Sequence, residues 1–131
     1  MNPKPTITNQ EIFDKVWNHF VVNKGPASFN NESGMCKYRG DNGAKCAVGL
    51  FIPDEDYDPK IENYTANADR VTSLLPFTVN DSKVSYLLEL QRCHDRAVQY
   101  LTNTEDFYIV VERRLRELAE LHNLLIPCPL S

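Results

Sequence analysis

Apolar residues return every three or four positions in three stretches of this chain, and the period vanishes between the first of them and the other two. Ile12, Val16 and Phe20, flanked by Phe13 and Trp17, predict a helix over 8–22. Thr8 stands three residues before Glu11, the spacing at which each side chain satisfies a free amide of the first turn. The run Asn23-Lys24-Gly25-Pro26 ends that helix. Further on, Leu87, Leu90, His94, Ala97, Val98 and Leu101 share one face of a helix starting at Asp81 or Ser82. Val111, Leu115, Leu118 and either Leu121 or Leu125 do the same for a last helix, capped by Asn103 or Thr104, with Glu105 and Asp106 in its first turn. The two long helices, over 82–125, have a very short link and are expected to form an antiparallel hairpin. A short helix fits 67–75, begun at Asn67 or Asp69 and stopped by Pro76.

Residues 27–64 read as an irregular insert rich in glycine and proline. Asp41-Asn42-Gly43 is a turn signal between Cys36–Arg39 and Lys45–Val48, which predicts a short β-hairpin. Gly34, Gly40, Gly43 and Gly49 mark places for positive φ or close backbone approach. Leu50-Phe51-Ile52 is an apolar plug closed by Pro53, and an acidic run follows to Glu62. The expected fold is a mostly α single domain over 1–131, about four helices around this insert, with 1–7 flexible and 126–131 a tail.

Composition narrows the partners. A formal charge of −4 argues against nucleic acid, whose binding needs clustered positive charge. No apolar run is long enough to span a bilayer, and the first ten residues lack the apolar core of a signal peptide, so the expectation is a cytoplasmic protein. Its four cysteines, Cys36, Cys46, Cys93 and Cys128, are then thiols.

The candidate chemistry sits in the insert and at His94. Cys36 and Cys46 are spaced too widely for a zinc knuckle, and Cys93 and His94 diverge by about 100° on their helix, so no metal and no cofactor is expected. Small buried thiols are the plainer reading. Covalent catalysis by Cys46 with His94 would need an orienting acid from the loop, Asp54 or Asp56, because Asp95 projects from another face than His94. The stretch Arg39–Cys46 lacks the spacing and hydroxyl of a phosphate loop, and a calcium loop begun at Asp54 has Pro59 where a glycine is required. Two readings stay open for His94. It clamps the insert to its helix by hydrogen bonds, or it joins Tyr38, Arg39, Lys45 and Asp54 in a pocket for a small anionic ligand.

The string Tyr38-Arg39-Gly40-Asp41-Asn42-Gly43-Ala44-Lys45-Cys46-Ala47-Val48-Gly49, followed by Ile52-Pro53-Asp54-Glu55 and Tyr57-Asp58-Pro59, resembles a motif of small uncharacterised phage and bacterial proteins. The pattern is roughly C-x-Y-R-x-x-x-G-x-[KR]-C-[AS]-[VI]-G-x-x-I-P-D-x-x-Y-x-P-x-x-E, with a later His-Asp pair such as His94-Asp95. The resemblance is detailed over 35–62 and faint over 82–100, and it implies no activity. The expected function is a small cytoplasmic regulatory binding protein, for which the resemblance implies a phage origin, acting through a protein partner or as a homodimer. The alternative is a binder of a phosphorylated or nucleotide-like ligand, with hydrolysis through Arg39, Lys45 and His94.

Overall fold

A computed structural model describes residues 4–30, 33, 35–40, 43–99 and 104–127. The expectations placed on 1–3, Gly34, Asp41, Asn42, Leu101, Asn103, the side chain of Glu105 and 128–131 lie outside the described residues.

The chain is mostly helical. Helix α1 (Asn9–Trp17) continues through a wider π turn, Asn18–Val22. Its capping box forms as the spacing requires: the Glu11 amide donates to Thr8 Oγ1 at 3.0 Å and the Thr8 amide to Glu11 Oε1 at 3.1 Å. Ile12, Phe13, Val16, Trp17 and Phe20 are buried. Helix α2 (Asp69–Thr72) is shorter than 67–75, because beyond it the bonds change to the tighter three-residue type, from Leu74 to Val71 and from Leu75 to Thr72. Helix α3 (Asp81–Val98) is capped by Asn80, which accepts from the Lys83 amide at 2.8 Å.

Helix α4 (Thr104–Leu121) runs back along α3. The pairing is antiparallel, since Tyr86 and Glu89 meet His122 at one end while His94 meets Phe107 nearer the other. Val111, Leu115 and Leu118 face inward as their spacing demands. Leu121 and Leu125 do not; they are 71% and 77% exposed. The helix stops at Leu121 because Asn123 turns left-handed at φ 57° and the Leu124 amide closes back on Ala119 O at 2.7 Å. Among the described residues no helix is long and apolar enough to cross a membrane.

The described part of the insert contains no sheet. Of the predicted hairpin the described residues show one antiparallel bridge, Arg39 with Lys45, beside which the Gly40 amide donates to Ala44 O at 2.9 Å and the Cys46 amide to Tyr38 O at 3.3 Å; a second isolated bridge joins Phe29 to Cys36. Gly43 supplies positive φ, at 76°, in the tight reversal between Arg39 and Lys45. Tight turns follow at Gly49–Phe51, Asp54–Asp56 and Pro59–Asn63. Cys46, Val48, Phe51, Ile52 and Ile61 are nonetheless buried in the same apolar cluster as α1, α3 and α4. The insert is thus part of the core, not an appendage to it.

His19 lies on the π turn with its ring against Gly25, and its Nε2 is buried with no hydrogen-bond partner among the described residues. Burial first, and then the charge of Lys45, hold this imidazole below its ordinary pKa. A folded value below the unfolded one, about 6.5, means the unfolded chain binds the proton more readily. His19 therefore contributes stability above that unfolded value, and the contribution is lost as pH falls towards the folded value. The wild type is expected to lose more stability than His19→Gln between pH 7 and pH 5, measured by urea melts at each pH. Equal losses would remove His19 from the acid limb.

Candidate functional site

Three residues of α3 at helical spacing, Gln91, His94 and Asp95, form a polar stripe against the insert. Gln91 Oε1 accepts from the Val48 amide at 3.0 Å, and its Nε2 donates to Asp95 at 2.9 Å. His94 is fully buried between Phe20 and Phe107. Its Nε2 accepts from the Ser28 amide at 2.9 Å, which leaves the proton on Nδ1, where it is donated to Asp95 at 2.9 Å. The Cys36 thiol lies beside them, its sulfur within 4.8 Å of the nearest His94 and Asp95 ligand atoms. One helix face thereby holds the insert at Ser28 and Val48.

His94 does bridge helix and insert, but its partners differ from those expected. The tyrosines and acids of the loop do not meet it; a backbone amide does. Asp95 was expected to point elsewhere, and it is the residue that orients His94. Neighbouring helical side chains diverge by about 100° at Cβ, yet a carboxylate two bonds further out swings back to reach the adjacent ring.

The ligand atoms of Cys36, His94 and Asp95 lie within 4.8 Å of one another. The proton positions argue for a hydrogen-bonded network here. A metal on Nδ1 would move the imidazole proton to Nε2 and set it against the Ser28 N–H, two donors facing each other in a buried place. Nucleophilic chemistry is no better supplied. Burial, and then the charge of Asp95, push the Cys36 thiol up to about 12. Cys46 and Cys93 are raised to about 12 as well, burial being the first cause in each. None of these three is a thiolate at neutral pH.

A second carboxylate organises the rest of the insert. Glu62 accepts the Tyr38 amide at 2.8 Å, the Arg39 amide at 3.1 Å and the Tyr57 hydroxyl at 2.6 Å. The Tyr38 hydroxyl donates to Tyr64 O at 2.7 Å. Arg39 turns the other way. Its guanidinium bonds Asp54 and Ile52 O, each at 2.5 Å, and stacks over Tyr57. Lys45 reaches the same Asp54 at 3.7 Å. The bond from Arg39, and then the charge of Lys45, lower the pKa of the exposed Asp54.

The five residues singled out in the sequence therefore fall in three places. Arg39, Lys45 and Asp54 form one charged cluster, and His94 belongs to the network on α3. Tyr38 alone of the five lines the half-open cleft between insert and α3, a cavity of about 320 Å³. Its walls carry Cys36, Lys37, Tyr38 and Glu62 from the insert, with Arg92 and Asp95 from α3. Of these, the sequence reading weighs Cys36 as a metal ligand and Asp95 as an orienting acid and sets both aside, and it does not reach Lys37, Glu62, Gln91 or Arg92 as site residues. The signal for part of the set was present: Gln91 and Asp95 are one helical turn apart beside the buried His94, a polar stripe on an otherwise apolar face. Compared with protein-family models, with curated proteins and with solved structures, the chain has no match.

Proposed function

We propose that this chain is a binding protein that engages a protein partner through the cleft between the insert and α3. The observation that carries this reading is a recessed polar cleft with exposed apolar surface beside it. Tyr64 lines the cleft and is 39% exposed; Met35, next in sequence to cleft-lining Cys36, is 70% exposed. Large apolar side chains left in water beside a polar recess are typical of surfaces that other proteins cover. The protonated thiols favour binding over covalent chemistry. Arg39 and Lys45, already spent on Asp54, make a second ligand site there less favoured.

Thr65 lines the cleft and is exposed, so Thr65→Trp fills it without disturbing the core. Proteins captured by the wild type and lost with Thr65→Trp are then titrated singly against both. A partner whose affinity falls at least tenfold with the variant supports the reading. Partners that bind both equally place recognition on another surface.

A further inference from the structure

The geometry points to the chemistry of the cleft's ligand: an anionic group, carboxylate or phosphate, received between Lys37 and Arg92. This inference rests on the cleft being the recognition site. Four charged residues line it, and they are not in the same condition. Glu62 is occupied by its three donors, two backbone amides and the Tyr57 hydroxyl. Asp95 takes Gln91 and His94 on its Oδ1. Glu62 and the Oδ1 of Asp95 are thus bonded to groups of the fold itself.

The cations are the reverse case. Among the described residues neither Lys37 nor Arg92 has a hydrogen bond or ion pair for its side-chain nitrogens. Lys37 stands on the insert wall and Arg92 on the α3 wall, so a group seated in the cleft has a cation on each side. A third positive charge lies near, because the Arg70 guanidinium sits over the Tyr64 ring, 5.0 Å from its centroid. Unpaired cations gathered at one cleft are not the default on a chain with a net charge of −4. Arginine offers a planar fork that fits two oxygens of a carboxylate or phosphate, and lysine adds a point charge.

The probes are an Asp/Glu-rich peptide, the same peptide with one phosphoserine, a neutral peptide of equal length, and inorganic phosphate. Each is titrated into the ¹⁵N-labelled protein. Saturable shifts at Lys37, Arg92 and Thr65 with the acidic peptides, and none with the neutral one, are expected. Lys37→Met and Arg92→Met keep the apolar stems and are each expected to weaken binding roughly tenfold. A phosphopeptide that binds more tightly than its parent identifies phosphate as the group; equal affinities identify carboxylate. Response to inorganic phosphate alone, with no response to the acidic peptides, overturns the partner as the anion's source. Absence of any saturable shift, or affinities unchanged in both Met variants, overturns the anionic chemistry. A partner sensitive to Thr65→Trp but indifferent to both Met variants overturns the chemistry while the cleft stands. If nothing depends on Thr65→Trp, the cleft itself fails.

Discussion

Gly49→Ala is expected to destabilise the protein by about 3 kcal/mol or more, one of the largest effects of any single methyl group in this fold. A Cβ at this position would lie 2.1 Å from the carbonyl oxygen of Tyr38 and 2.8 Å from its carbon. Those atoms are backbone, and they cannot rotate away. The Tyr38 carbonyl also accepts the Cys46 amide at 3.3 Å, while the Tyr38 amide is held by Glu62. Relief would require the Gly49 turn to retreat from the segment it packs on, and Val48 and Phe51 on either side of it are buried. Gly43→Ala is the control. Gly43 has positive φ but nothing within 4 Å of a new Cβ, so only the left-handed conformation is penalised, by about 1–2 kcal/mol. Thermal melts of the two variants decide the matter. Equal losses would mean that the approach of the turn to Tyr38 is not what selects glycine at 49.

The helices were legible because their causes are local. A capping box and a recurring apolar spacing each act within a turn or two, so the start of α1 at Thr8 and the buried face of α3 are read directly from the sequence, while the left-handed stop at Asn123 is not. The insert was not legible in the same way. Its residues are held by bonds that skip 24 positions from Glu62 to Tyr38 and 66 from His94 to Ser28. No period announces such contacts. The turn signal predicts a hairpin there, and among the described residues it amounts to the Arg39–Lys45 bridge: Ser28 Oγ donates to Lys37 O at 2.6 Å and Glu62 takes the Tyr38 amide at 2.8 Å, side-chain bonds that occupy backbone groups a longer ladder needs. Gly40 and Gly49 prove to be close backbone approaches and Gly43 the positive-φ position, alternatives the sequence alone leaves open for each of them. What approached them could not be known. Asp95 meets its neighbour His94 for a different reason: the angle of about 100° between adjacent Cβ atoms is not the angle between their functional groups.

His94→Ala is expected to cost about 3 kcal/mol, through two losses that add. The Ser28 amide is buried and has His94 Nε2 as its acceptor, so removal of the ring leaves a donor without water or partner. The ring also fills space between Phe20 and Phe107, whose centroids lie 5.6 and 5.9 Å away, and alanine leaves a void on α3 that those rings close only in part. Asp95→Asn separates the roles. It removes a charge from a residue 39% exposed while leaving an oxygen to accept the Nδ1 proton, so its cost is expected to stay near 1 kcal/mol. The measurement specific to the clamp is amide hydrogen exchange at Ser28. Its protection should fall more in His94→Ala than the global loss of stability accounts for, because the local bond is gone as well. Should Ser28 stay as protected as the rest of the core, the amide has another acceptor, and His94 is packing rather than the link between α3 and the insert.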